Sequence, residues 1–327
     1  MVNRIPQFIS ENSTLPLIAA PMFLVSGVEM VLAACYAGIV GSFPAPNTRS
    51  IEDLDRWMRE ITTSLAEARR QHPNQKIAPW AFNMLVHRSY TRRDAELELV
   101  LKYQPPIVIT ALGSPRDLVD TVHGYGGLVY ADVNSVRYAQ KSVEAGVDGL
   151  VLVAAGAGGH TGQISAFAFV DAVRGFWDGT LILGGGISTG RAIRAAQTLG
   201  ADLANMGTRF IATRESMAND TYKQMLIDAT IEDIVQSDGV TGVMANWLRP
   251  SLEAAGYDLK TMKKRAPMNL GDPNSSQKAW RDTWSAGQGV GAIDRVQSVA
   301  NLVAELKAEY MLAVQHERSS DVWTTQG

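Results

Sequence analysis

Between Val151 and Thr208 the chain writes strand, glycine loop and helix twice in succession, then turns a third time. The apolar run Val151-Leu152-Val153 leads into Ala154-Ala155-Gly156-Ala157-Gly158-Gly159-His160-Thr161-Gly162-Gln163. Leu181-Ile182-Leu183 leads into Gly184-Gly185-Gly186-Ile187-Ser188, and Asp202 to Met206 leads into Gly207-Thr208. Strands that alternate with helices must return in the same direction, so the sheet is parallel and covered on both faces. No other feature narrows the choice of fold as far.

The same alternation runs back to the start. Leu17 to Ala20 reads as a buried strand stopped by Pro21, and Val28 to Tyr36 as a helix. Gly38 to Ser42 is the next strand. Ile51 to Arg70 carries Ile51, Leu54, Met58, Ile61 and Leu65 at helical spacing. Ile77 to Phe82 reads as a strand ending at Asn83, Asp94 to Tyr103 as a helix, and Ile107 to Thr110 as a β-branched strand. Ser114-Pro115 opens a helix with a cap residue and a first-turn proline. Gly127 to Ala131, Asn134 to Ala145, Asp148 to Val153, Ser165 to Trp177, Thr189 to Leu199 and Glu215 to Ala229 complete the series. Eight strand–helix units over about 230 residues have the size of a (β/α)8 TIM barrel; an open doubly wound sheet is the competing architecture.

After residue 230 the pattern breaks. Val240 to Pro250 reads as an ordered loop, Lys263-Lys264-Arg265 as a solvated basic turn and Asp272 to Gln277 as a polar loop. Ile293 to Val314 reads as a long terminal helix and Ser319 to Gly327 as a frayed end. The expected organisation is a barrel over residues 1–230, an excursion covering its mouth over 231–290, and a C-terminal helix over 291–327 that packs back, all one structural unit.

Composition removes several function classes. A net charge of −3 without a long basic run does not suit nucleic acid. No apolar run has the length of a membrane span, and the first residues lack the apolar stretch of a signal peptide. The one cysteine, Cys35, lies in an apolar stretch and reads as packed, which suits a reducing cytoplasm. No histidine pair has metal-ligand spacing, so no metal is expected.

The glycine loops carry the chemistry. Gly184-Gly185-Gly186 ends a strand ahead of a helix, where bare backbone amides and the helix dipole favour an anion. Met206-Gly207-Thr208 turns at the end of the next strand, and the loops after strands seven and eight are the usual phosphate site of a barrel. Tight helix–strand packing is the competing explanation for those glycines. His160 follows Gly158-Gly159 at the C-terminal end of a strand, the face where barrel enzymes keep their reacting groups. Its imidazole can exchange a proton near neutral pH. His72, His87, His123 and His316 have no such setting. Asn83 can satisfy a heteroaromatic ring's donor and acceptor atoms, and Met22, just past Pro21, offers a soft apolar contact.

These motifs resemble the nitronate monooxygenase family, formerly the 2-nitropropane dioxygenases, over nearly the whole chain. The matching stretches are Ala20-Pro21-Met22, Gly158-Gly159-His160, Gly184-Gly185-Gly186-Ile187, Ala201-Asp202, Met206-Gly207-Thr208-Arg209-Phe210 and Trp284-Ser285-Ala286-Gly287-Gln288. The resemblance implies an FMN-dependent barrel oxidising alkyl nitronates or nitroalkanes with oxygen. His160 would be the catalytic histidine, acting on a neutral nitroalkane as base or orienting an ionised nitronate. Gly184, Gly185, Gly186, Met206, Gly207 and Thr208 would hold the FMN phosphate end. Met22, Asn83, Asp132 and Gly158 would line the ring and its chain, and Ser285 and Gln288 would face the substrate. The same motifs occur in flavin-dependent quinone and enoyl reductases, which adds an NAD(P)H-dependent reductase as the alternative. A barrel that binds ligand without turnover is a third reading. Characterised nitronate oxidisers carry Gln and Glu before the Gly-Gly-His and Arg after it, where this chain has Val153, Gly156 and Thr161. Some relatives place a lysine near the flavin pyrimidine where this chain has Asp132. A small-molecule substrate is the expected partner, and the oligomeric state is left open.

Overall fold

In the computed structural model, which describes residues 4–262, 264, 280 and 283–319, eight parallel strands close into a barrel. They are β1 (Leu17–Ala19), β2 (Val40–Pro44), β3 (Trp80–Leu85), β4 (Ile107–Ala111), β5 (Leu128–Val133), β6 (Gly149–Val153), β8 (Thr180–Gly184) and β9 (Leu203–Met206). β1 closes the ring by pairing with both β2 and β9. The two-residue β7 (Gly159–His160) lies outside it. The expected (β/α)8 barrel is therefore the fold.

Helices α2 (Val28–Tyr36), α3 (Ile51–Gln71), α4 (Arg93–Tyr103), α5 (Arg116–His123), α6 (Val136–Glu144), α7 (Ala166–Arg174) and α8 (Gly190–Leu199) wrap the barrel. Hydroxyl side chains start several of them. Ser50, Ser135, Ser165 and Thr189 each accept a backbone N–H of the first turn. On α3 the buried residues are Leu54, Met58, Ile61 and Leu65, the stripe read from the sequence.

The barrel strands separate two apolar layers. The outer one lies between strands and helices. The inner one holds Ile18, Val40, Ala81, Ile107, Ile109, Tyr130, Val151, Ile182 and Leu203. A short N-terminal helix, α1 (Gln7–Asn12), places the fully buried Ile9 in that inner layer and plugs one end. It escaped the sequence reading because six residues are too few to display a period.

Past the barrel come α9 (Thr208–Ile211) and α10 (Asp220–Asp228). Then β10 (Ile234–Ser237) and β11 (Ala245–Leu248) form an antiparallel sheet with β7, in the order β10-β11-β7. The expected loop at 240–250 is thus in part a strand, followed at once by α11 (Arg249–Ala254). Its partner strands are short and one of them lies about eighty residues upstream, so no local pattern announces it. The terminal helix, α12 (Val299–Ser319), begins six residues later than expected. Glu215 accepts the Val299 amide at 3.0 Å and fixes that start. Lys263, Arg265, Asp272 to Gln277 and the last eight residues lie outside the described residues.

Other boundaries move as well. β3 extends to Leu85, so Asn83 sits within the strand rather than at its end. α5 begins at Arg116, with Pro115 rather than Ser114 in the cap position. α10 begins at Asp220 with Asn219 as its cap, because residues 213–215 are engaged with the C-terminal segment.

Candidate functional site

Side chains alternate along each strand, so positions two residues beyond the inner layer point into the barrel mouth. From Ala81, Tyr130, Val151, Ile182 and Leu203 that step reaches Asn83, Asp132, Val153, Gly184 and Asn205. These five positions therefore mix three polar groups with an apolar residue and a bare glycine. Asn83 is buried and donates from Nδ2 to the Ile109 carbonyl at 3.1 Å. The Asn205 Oδ1 atom is buried and has no hydrogen-bond partner among the described residues. Asp132 is half-buried, and loss of solvent pushes its carboxyl up to about 7 from an ordinary 3.8.

The two glycine turns lie side by side. Gly184 is in register with Asn205, and a Cβ at Gly184 would stand 3.5 Å from that of Asn205. Gly186 has φ +69° and open space where a side chain would project. The Gly156 carbonyl accepts from the Gly186 amide at 3.1 Å and from the Gln288 amide at 3.0 Å. The Gly287 amide donates to Thr208 Oγ1 at 2.9 Å. One carbonyl and one hydroxyl thus tie both turns to the segment around Gly287. That segment fits only because glycines leave room: a Cβ at Gly158 would meet the Gly287 nitrogen at 2.6 Å.

The start of α8 behaves differently from the sequence reading. Its Gly190 amide donates to a carboxylate oxygen of Glu309, on α12, at 2.6 Å. The helix end expected to draw an external anion already has one supplied by the chain. The Met206 side chain is buried in the outer layer, and its carbonyl accepts the Ala20 amide. Met22 reaches across instead: its Sδ would stand 3.1 Å from a Cβ at Gly207.

His160 is held by its neighbours on all sides. Thr161 donates from its hydroxyl toward the Ala154 carbonyl, and its amide donates to Met244 at 3.1 Å. Asn246 donates to the carbonyls of Ala155 and Ala157 at 3.0 and 2.7 Å. β7 pairs Gly159 with Asn246 and His160 with Ala245. The imidazole meets Trp280 edge to face, with ring centres 5.6 Å apart. Its Nε2 is buried without a hydrogen-bond partner among the described residues. Burial lowers its pKa to about 4, so the ring is neutral at physiological pH.

The C-terminal residues divide between the two halves. Ser285 Oγ would lie 3.8 Å from a Cβ at Gly159, beside the histidine. Gln288 Oε1 would lie 3.1 Å from a Cβ at Gly156, beside the glycine turns. Sequence reasoning grouped these two residues together and passed over Asn205, Asn246, Trp280 and Glu309. Their neighbours come from distant parts of the chain, and no local motif marks them.

Known proteins resemble this chain in sequence and in fold. The sequence model of one family, described as nitronate monooxygenase, matches residues 8–309. The Mycobacterium tuberculosis protein Rv1533 is 31% identical over 232 residues, covering 66% of this chain and 62% of its own length. A nitronate monooxygenase of Paraburkholderia phytofirmans is 26% identical over 93% of this chain and 94% of its own. Among solved structures, a nitroalkane oxidase of Streptomyces ansochromogenes superposes with a TM-score of 0.78 at 22% identity, over 94% of this chain and 99% of that one.

Proposed function

The chain belongs to the nitronate monooxygenase family of oxidoreductases, and from that membership we propose that it oxidises alkyl nitronates with oxygen, using FMN. The observation that carries the reading is a neutral imidazole whose buried Nε2 has no hydrogen-bond partner among the described residues, beside a mouth where the turn at Gly186 leaves open space. The residues fit the cofactor. Gly186 offers open space in a left-handed turn, and Gly207 and Thr208 stand just past the end of the neighbouring strand. The Thr208 hydroxyl accepts from Gly287, which leaves its own proton for a phosphate oxygen. Met22, Asn83 and Asp132 would border the ring, with Gly158 and Gln288 along its chain. Bound FMN supplies the electron transfer.

The chain's own residues handle position and charge. An imidazole that gives up its proton near pH 4 is a weak base, and removing a proton from neutral carbon needs a stronger one. The low value therefore favours a substrate that arrives already ionised. A neutral ring with a free Nε2 can hydrogen-bond a nitronate oxygen, and the nearby anion would raise its proton affinity. Ser285, beside Gly159, is placed to add a second polar contact. Residues 231–262 and 283–290 would cover the mouth and keep water away.

An anaerobic reduction panel tests the reading. Purified holoenzyme should lose its flavin colour rapidly with an alkyl nitronate and remain yellow with NADH or NADPH. Bleaching by a reduced nicotinamide alone would instead make the chain a quinone or enoyl reductase. His160→Ala should keep its flavin and lose roughly 100-fold or more in kcat/KM.

A further inference from the structure

A second apolar core stands apart from the barrel. Val240, Ala245, Trp247 and Leu252 form it, with Val235, Tyr257, Leu259, Met262 and Trp280 packed against them. Trp247 is fully buried and donates from Nε1 to the Ser237 carbonyl at 3.2 Å, which fixes its ring. Trp280 lies on it, with ring centres 4.4 Å apart. From that seat the Trp280 indole meets His160 edge to face at 5.6 Å. The edge of the same indole would be 3.6 Å from a Cβ at Gly159, with Ser285 Oγ at 3.8 Å from that point. Indole, imidazole and hydroxyl therefore converge on one small volume above the glycine.

We propose that Trp280 is a specificity-determining residue: its indole walls the space beside His160 and selects the alkyl chain of the substrate. The edge of the indole presents carbon where a hydrated or charged group would have to lose its water. An alkyl chain loses nothing there and gains burial, worth about four-fold in affinity per methylene. The same wall keeps water from one side of the imidazole and so adds to the burial that makes it reluctant to take a proton. The proposal rests on the nitronate reading only for the head group of the ligand. Its test uses no turnover.

The holoenzyme and its Trp280→Ala and Trp280→Phe variants are compared in two measurements. In the first, the C2 proton of His160 is titrated by NMR without substrate. Wild type should titrate near 4, with Trp280→Ala moving by about one unit or more toward the ordinary value of 6.5. Trp280→Phe keeps an aromatic wall and should stay near wild type. In the second, straight-chain carboxylates of increasing length serve as planar, singly charged stand-ins for nitronates, and their binding is followed by calorimetry. Wild type and Trp280→Phe should gain affinity with each methylene, and Trp280→Ala should show a flat series. The far-ultraviolet circular dichroism and flavin content of each variant establish that it is folded and loaded. An unchanged His160 titration, or a chain-length slope that survives in Trp280→Ala, overturns the proposal. If nitronates prove inert while both measurements behave as expected, the assigned reaction is wrong and Trp280 keeps its role.

Discussion

Two ionisable groups at the mouth have displaced proton affinities, and the consequences run in opposite directions. His160 binds its proton less readily folded than unfolded. Its contribution to stability is present above about 6.5 and is lost as the pH falls toward about 4. Asp132 binds its proton more readily folded. Its contribution is present below about 3.8 and is lost as the pH rises through about 7. A carboxyl displaced that far sets a ceiling of ~4 kcal/mol, and half-burial reduces it to ~2 kcal/mol. Asp132→Asn, a permanently neutral replacement of the same shape, should therefore be more stable than wild type in the flavin-free protein. The advantage should grow from about pH 4 to about pH 7 in urea-unfolding midpoints, and a constant difference would remove the burial argument. At this scale His160 was legible from its glycines, since few backbones other than a tight loop need Gly-Gly before a histidine. Asp132 was legible only as a departure from relatives. Trp280 left no trace, because its meaning depends on Trp247 and His160, both far away in the chain.

Among elements, the loop between β1 and α2 shows how a distant side chain sets a site. Asn47 accepts the Leu24 amide at 2.8 Å and donates to the carbonyls of Met22 and Ser26 at 3.0 and 2.7 Å. Ser26 Oγ in turn accepts the Met22 amide. This clamp holds Leu24 at φ +59°, a left-handed conformation that a leucine adopts at a cost of about 1 kcal/mol or more. Met22 is thereby set against Gly207. Asn47→Ala should weaken FMN binding about ten-fold, and adding Leu24→Gly should recover part of the loss by removing the strain. Equilibrium dialysis of FMN checks both, and an unaltered affinity in Asn47→Ala would show that the loop holds without its clamp. The helix caps Ser50 and Thr189 lie within three residues of the amides they serve, so they are local features of the sequence. Asn47 is not, being more than twenty residues from its partners. The sheet β10-β11-β7 was missed for the same reason.

For the molecule as a whole, the C-terminal segment is welded to the side of the barrel that carries the glycine turns. Arg209 reaches the Ala292 carbonyl and pairs with Glu305 at 3.3 Å, Glu215 caps α12, and Glu309 caps α8. α12 can approach α8 so closely only because Gly190 has no side chain. An added Cβ there would fall 2.1 Å from the Leu306 carbonyl oxygen and 2.3 Å from the Tyr310 nitrogen. Gly190 is helical, so alanine suits its backbone and only space opposes it. Gly190→Ala should cost roughly 2 kcal/mol or more through displacement of α12, lowering the melting temperature by several degrees. A melting temperature equal to or above that of wild type would mean the two helices part without cost.

By itself the sequence determined the barrel. Eight strand–helix alternations and continuous apolar strands admit few other architectures, because each is a local pattern and parallel strands must be covered on both faces. It also determined the glycine turns and His160, whose residue types declare their backbone needs in place. Only the tertiary structure decided which groups share the mouth, which helix end is already satisfied, and which indole stands beside the imidazole. Those facts depend on contacts between residues tens to more than a hundred positions apart, and such contacts exist only once the chain has closed on itself.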